Sequence, residues 1–310
     1  MKAQLAVFLL TLVTAIWGAT FFLTRWFLDG LAGASGIPAS SWAVTGVFLF
    51  ARFALGGALA LLVFPSTLRS SWTLWRDAAW VALATAAGFL LQTVGLASVS
   101  PATSAFLTSL YVPLTPIAAW LLFRRPLPRV LAGAMALALA GLWILTPPTS
   151  PAFGLGEALT AACGAAFAVQ IVLLDRTAGR HDAGAFTAAM LVLCALAFLP
   201  LLAADPRLLS PTVWARLPAQ AWLALLLTGT LASVLSFWIM CRFQPFLDPS
   251  HAALVYAAEP VFAAAFSALW FGERFGATAL LGGGLLVAAN VWAGRAALKP
   301  PRTGAIIPPP

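Results

Sequence analysis

The stretch that decides the fold is Pro249–Gly294, PSHAALVYAAEPVFAAAFSALWFGERFGATALLGGGLLVAANVWAG, read beside an earlier counterpart, Pro101–Thr146, PATSAFLTSLYVPLTPIAAWLLFRRPLPRVLAGAMALALAGLWILT. Each opens on a proline and runs as an apolar helix interrupted by proline, Pro260 in the later copy and Pro113 and Pro116 in the earlier. Each reaches a corner of aromatic and charged residues, Phe271 to Arg274 and Phe123 to Arg125. Each then returns as a Gly/Ala-rich apolar helix ending near a tryptophan, Trp292 and Trp143. A proline inside a helix removes a backbone hydrogen bond and clashes with the preceding turn, at a cost of roughly 3 kcal/mol. Two stretches that accept this cost at matching places point to a duplicated chain with a shared functional device.

The chain around them is 62% hydrophobic and only 8% charged, against about 25% charged in a soluble domain. Its mean hydropathy is +0.97. Apolar segments of about twenty residues recur along its length, each enough to cross a hydrocarbon core of ~30 Å. The chain therefore reads as a polytopic membrane protein whose partner is the lipid bilayer. A net charge of +8 would suggest nucleic acid in a soluble chain; here the basic residues sit in short loops and set topology, so no nucleic-acid partner is expected. Fifteen of the seventeen basic residues are arginine, which with the heavy Ala, Leu and Gly usage hints at a GC-rich bacterial genome. Cys163, Cys194 and Cys241 fall inside the apolar segments without metal or redox spacing and read as small apolar fillers.

Ten spans can be laid down. They cover Gln4 to Thr24, Trp42 to Phe64, Leu74 to Ala97, Pro101 to Phe123 and Val130 to Thr146. The second set covers Leu155 to Leu174, Gly184 to Ala203, Ala219 to Met240, Pro249 to Phe271 and Ala277 to Ala297. The first is too long for a signal peptide and carries Trp17-Gly18 at its centre, so it reads as a retained span. With both termini in the cytoplasm, twelve Lys and Arg residues lie on the inner side and four on the outer; the positive-inside rule favours that orientation. Arg52 alone is left within a span. Further echoes join the two halves: Gly18-Ala19-Thr20-Phe21 with Gly164-Ala165-Ala166-Phe167, and Trp80-Val81-Ala82-Leu83 with Trp222-Leu223-Ala224-Leu225. Five spans per copy is an odd number, so the second copy sits upside down relative to the first, the architecture of many secondary transporters. The expected fold is all-α, with ten transmembrane helices as two inverted five-helix repeats, 1–146 and 147–298, followed by a disordered tail, 299–310.

Several of these motifs together resemble a family. The run GLASVSPATSAFLTSLYVPLTPIAAWLLFRRPL from Gly95, Ile16-Trp17-Gly18, Ala51-Arg52-Phe53, Glu259-Pro260 and Phe271-Gly272-Glu273 are similar to the EamA-type transporters, ten-helix members of the drug/metabolite transporter superfamily. The resemblance covers the chain to about Ala297. It implies a monomer, a central cavity between the two halves and alternating access. Bacterial members include exporters of amino acids and related metabolites, such as the YddG-type aromatic amino-acid exporters. The family's loop glutamate has its match in Glu273, but the equivalent of the first half is Arg125, so a role needing both acids is not expected and Glu273 reads as a loop anchor.

A transporter needs a few polar groups at mid-bilayer depth, where a charge costs upward of ~2.5 kcal/mol by insertion scales. Glu259 sits mid-span directly before Pro260; it can bind a substrate ammonium, cycle a proton, or brace the broken helix. Its counterpart in the first half is Tyr111 or Val112. Arg52 can hold a carboxylate by bidentate hydrogen bonds or pair with backbone carbonyls or a neighbouring acid. Gln92 and Gln170, at mid-span, can line a cavity or bond between helices. Tyr111 and Tyr256, the only tyrosines, fall just ahead of the mid-helix prolines and read as cavity lining. Trp17 is mid-span rather than interfacial, suited to stacking on a substrate or to packing; Trp238, Phe237 and Phe106 offer similar surfaces. His251, at a helix start, and Asn290, at a crowded position, read as structural.

No phosphate loop, metal-ligand cluster, nucleophile elbow or dinucleotide fingerprint is visible, so no cofactor is expected. Most loops are too short for an ATPase or catalytic domain. The expected function is a secondary transporter exporting small metabolites, amino acids foremost, across a bacterial inner membrane. An organic-phosphate or nucleotide-sugar exchanger would need several cavity Lys or Arg residues, and only Arg52 is on offer. For a membrane enzyme or receptor the nearest clusters, Asp175-Arg176 and His181-Asp182, read as solvated loop charges.

Overall fold

The computed structural model describes residues 2–99, 101–125, 129–145, 154–271 and 276–297, and every structural statement below concerns those residues. The expectations for Glu273, Arg274 and the tail 299–310 lie outside them, as do those for the side chains of Phe106 and Asn290.

The described chain is helical, with connecting turns and short 3₁₀ segments and no strand. Hydrocarbon offers the backbone no hydrogen-bond partner, so an apolar Ala/Leu-rich segment satisfies its amides internally as helix. In order the helices are α1 (Lys2–Ser35), α2 (Trp42–Val63), α3 (Trp72–Leu96), α4 (Pro101–Thr108), α5 (Tyr111–Phe123), α6 (Arg129–Leu145) and α7 (Leu155–Thr177). They continue as α8 (Ala183–Phe198), α9 (Pro211–Ala215), α10 (Ala219–Gly229), α11 (Ser236–Phe243), α12 (Pro249–Tyr256), α13 (Glu259–Phe271) and α14 (Ala277–Ala297). A π-helical turn, Thr230–Leu235, joins α10 to α11 without a break. Six of the resulting rods are long and apolar enough to cross a membrane. The protein is a multi-pass membrane protein. The remaining apolar helices are α6, of 17 residues, α14, of 21, and the split pairs α4–α5 and α12–α13.

Polar caps start several helices where the apolar run begins. Ser41 Oγ accepts from the Ala43 amide at 3.2 Å, and Asp182 and Asp248 accept from the amides of Ala185 and Ser250, both at 2.9 Å. Each satisfies one of the donors that a helix start leaves unpaired. At the other end, α5 stops on Arg124, whose φ of 56° is left-handed. That turn aims the neighbouring Arg125 at Asp175 at the end of α7, 2.7 Å away. The corner foreseen at Phe123–Arg125 is thus a helix stop that docks on a second helix.

Two expectations are corrected here. Of the charges around the α7–α8 turn, Arg176 and Asp182 are exposed as expected, but Asp175 and His181 are not solvated. The side chains of Asp175 and His181 are only 8% and 12% exposed; Asp175 pairs with Arg125, and His181 Nε2 lies 2.9 Å from Asp77 Oδ2 in the first turns of α3. Sequence distance hides both pairings. The first helix also runs past Thr24 to Ser35. At 1.5 Å per residue its 34 residues span about 51 Å, well beyond a ~30 Å core. The extension is held because it buries Phe27, Leu28 and Leu31, with Phe27 packed on Phe48 and Trp214 at ring separations of 5.0 and 6.3 Å.

The helices pair in a recurring pattern. α3 lies along α7, and α1 along α10; α5 touches α7, and α13 touches α1; α2 pairs with α8, α6 with α14, α4 with α13 and α5 with α12. The buried core runs through the middle of this bundle. Outside it, Leu62, Trp72, Trp80, Leu83, Leu121 and Leu280 stand exposed, an apolar surface that water would penalise and lipid does not.

Candidate functional site

The two helix interruptions share one frame. α4 has eight residues, the gap two and α5 thirteen; α12, its gap and α13 repeat those lengths. The offset is a constant 148 residues, 249 against 101 and 259 against 111. It matches Thr108 with Tyr256 on one side of the break and Tyr111 with Glu259 on the other, which decides between Tyr111 and Val112 as the partner of Glu259. Pro113 and Pro260 cannot donate to the carbonyl four residues back, so the helical ladder gives way just ahead of them, at Ser109-Leu110 and Ala257-Ala258.

Glycines bring one helix close to each break. A Cβ at Gly18 in α1 would lie 2.8 Å from the Ala263 nitrogen and 3.1 Å from the Glu259 carbonyl oxygen; one at Gly164 in α7 would lie 3.0 and 3.2 Å from the carbonyl oxygens of Thr108 and Leu107. Only glycine allows backbone to approach that closely. These are the glycines of the two echoing sequence motifs.

Between the breaks lies a cavity. Trp17 and Thr20 come from α1, Phe89 and Gln92 from α3, and Phe167, Gln170 and Ile171 from α7. Thr108 and Tyr111 flank one break, Tyr256 and Glu259 the other, and Phe237 and Met240 come from α11. The wall is largely aromatic: the Trp17 ring is 5.6 Å from Tyr256 and 5.9 Å from Phe237, and Phe89 is 5.3 Å from Phe167, edge to face.

The polar groups on this wall differ in their hydrogen bonding. Trp17 Nε1 donates to the Ala232 carbonyl in the π turn at 3.1 Å. Tyr256 donates its hydroxyl proton to Gln244 Oε1 at 2.9 Å, and Gln244 Nε2 donates to the Ile171 carbonyl at 2.8 Å. Gln92 Nε2 donates to Thr108 Oγ1 at 3.2 Å. By contrast, the Tyr111 hydroxyl and Gln170 Nε2 are buried with no protein partner. Glu259 is 8% exposed, and no described residue bonds or pairs with its carboxylate. No Lys, Arg or His lines the cavity among the described residues. Buried polar groups in folded proteins are nearly always partnered, so a few orphans converging on one cavity mark a place for a ligand.

Six of the eight residues singled out from the sequence, Trp17, Gln92, Tyr111, Gln170, Tyr256 and Glu259, meet at this cavity. Two do not. Trp238 packs edge-on against Phe243, 6.4 Å away, and its neighbour Phe237 faces the cavity. The π turn ahead of it is the reason: one extra residue in a turn rotates the following helix by about 100°. Arg52 is buried behind the wall, its guanidinium over the Phe89 ring at 4.5 Å. The lining residues missed in the sequence are Thr20, Phe89, Thr108, Phe167, Ile171 and Met240. Thr20 and Phe167 lay in the echoing Gly-Ala motifs, which carried a signal; Phe89, Ile171 and Met240 look like any core residue.

Residues 154–294 match the EamA-like transporter family. Over 258 residues the chain is also 26% identical to a protein of Archaeoglobus fulgidus described as an uncharacterized transporter, an alignment covering 83% of this chain and 75% of that one. The second half of the chain thus resembles the EamA-like transporters. A crystal structure of a protein 20% identical to this chain superposes with a TM-score of 0.64, covering 93% of this chain and 98% of the other. At that identity the likeness speaks for the fold. The match to the family model spans the second half, α7 to α14, and so includes Gln170, Tyr256 and Glu259 of the cavity wall.

Proposed function

We propose that this protein is a secondary transporter that exports small amphipathic metabolites, above all aromatic or other neutral amino acids, across a bacterial inner membrane by alternating access. The observation that carries the reading is the unpartnered polar set on an aromatic wall: one carboxylate, Glu259, with the Tyr111 hydroxyl and the Gln170 amide as free donors. A carboxylate attracts an ammonium group, the neutral donors receive acceptor oxygens, and the rings of Trp17, Phe89, Phe167 and Phe237 take an apolar body. The absence of any cation on the described wall argues against an organic-phosphate exchanger, which would need one.

The architecture proposed for this activity has ten spans, α4–α5, α12–α13 and α10–α11 each counting as one, arranged as two inverted repeats that work as a monomer with both termini in the cytoplasm. The packing supports the repeat. Advancing every span by five turns the α3–α7 contact into α10–α1, the α5–α7 contact into α13–α1 and the α5–α12 contact into α13–α4, and maps α2–α8 and α6–α14 onto themselves. Such a pseudo-twofold lets one packing be exchanged for its mirror in the repeat, opening the cavity to either side in turn. Counterflow in proteoliposomes tests the activity: labelled amino acids from a broad panel should accumulate against preloaded unlabelled substrate. No saturable uptake of any of them would refute it.

A further inference from the structure

Arg52 is a buried charge that the cavity does not use and that no described acid pairs with, and its surroundings leave it incomplete. It is 2% exposed in the middle of α2. Nε donates to Ser233 Oγ at 3.1 Å, and Ser233 stands on the π turn that also accepts from Trp17. The guanidinium lies 4.5 Å from the Phe89 ring centroid and 5.3 Å from that of Phe53. Nη2 has no partner, and no described Asp or Glu pairs with the group. Aromatic faces and one hydroxyl offset part of the charge, but a planar fork of five donors is built to meet an anion at two points.

Phe89 is shared between this pocket and the cavity: it lines the cavity and underlies Arg52. Among the described residues, Glu259 on the cavity wall therefore has no basic partner, and Arg52, behind the Phe89 ring that lines the same cavity, has no acidic one. Building on the proposed transport function, the geometry points to Arg52 as the carboxylate subsite of an occluded state, reached when the Phe89 ring turns aside. The Tyr111 hydroxyl and Gln170 amide hold the substrate carboxylate first. Rotation of Phe89 then lets Nη2 take it, with the ammonium left on Glu259. The chemical class selected is a zwitterion with a free α-carboxylate, discriminated from the corresponding amine or amide by charge.

The test measures binding of L-phenylalanine, L-leucine and their carboxamides to purified protein in nanodiscs, for wild type, Arg52→Met, Arg52→Lys and Phe89→Ala. Wild type should prefer each free acid over its amide by tenfold or more. Arg52→Met should weaken the acids by at least that factor and change the amides by less than threefold, with Arg52→Lys in between. Phe89→Ala should weaken acid and amide alike through the lost ring yet keep or raise their ratio, a readout that stands even if Arg52→Met fails to fold. Equal loss of acid and amide in Arg52→Met, no loss of either, or a ratio that falls in Phe89→Ala overturns the assignment. If wild type binds none of the four compounds in nanodiscs, the amino-acid reading fails and this subsite with it; binding with an unchanged acid-to-amide ratio in Arg52→Met removes the subsite alone.

Discussion

Replacing Gly18 by alanine adds one carbon where α1 crosses the start of α13. That Cβ would lie 2.8 Å from the backbone nitrogen of Ala263 and 2.9 Å from Phe262 Cβ, against an ordinary contact of 3.4 Å or more. The obstacle is backbone and the root of a side chain, so rotamers cannot absorb it, and α13 must retreat by roughly 0.6 Å. Overpacking of this kind costs about 1–3 kcal/mol, while alanine for glycine within a helix returns up to ~1 kcal/mol of propensity. The net loss is then about 0–2 kcal/mol. Gly33, on the same helix, has nothing within 4 Å of its added Cβ, so Gly33→Ala should stabilise by up to ~1 kcal/mol on propensity alone. The two variants, which differ only in where the methyl group lands, should melt on opposite sides of wild type in nanodiscs. Gly164→Ala, with its nearest atom at 3.0 Å, should fall on the Gly18 side and be milder. Because α13 begins at Glu259, its retreat also moves the carboxylate against the cavity, so Gly18→Ala should slow counterflow while Gly33→Ala does not. A Gly18→Ala protein as stable as Gly33→Ala would refute the close approach and the positioning argument built on it.

Two further outcomes are expected. Tyr256→Phe leaves Gln244 Oε1 buried without its donor, which should cost about 1–3 kcal/mol in denaturant titrations; a loss of only a few tenths would mean that the Tyr256–Gln244–Ile171 chain is not intact in the membrane. Glu259→Gln keeps the shape of the cavity wall and removes its one carboxylate. If that carboxyl also carries a proton, transport in proteoliposomes should lose its response to a pH gradient, and a response equal to that of wild type would exclude Glu259 as the proton carrier.

Much of this protein is legible from its sequence because the relevant physics is local. An apolar segment in hydrocarbon has little choice but helix, a proline interrupts it within a turn, and repeated punctuation at Pro113 and Pro260 announces the paired breaks before any coordinates exist. The duplicated Gly-Ala motifs likewise flag Gly18 and Gly164, and polar residues isolated in apolar runs (Glu259, Gln170, Gln92, Tyr111) draw attention because burying them is costly. Tertiary structure decided which of these meet and what stands between them. The π turn at Thr230–Leu235 rotated Phe237 into the cavity and Trp238 away from it. The constant 148-residue offset set Tyr111, not Val112, opposite Glu259. Packing put the Phe89 ring beneath the Arg52 guanidinium and so kept the deep cation off the wall. It also joined His181 to Asp77 and Arg125 to Asp175. Those outcomes depend on contacts between residues far apart in the chain, whose energies depend on separations of a few ångströms that hydropathy and spacing do not encode.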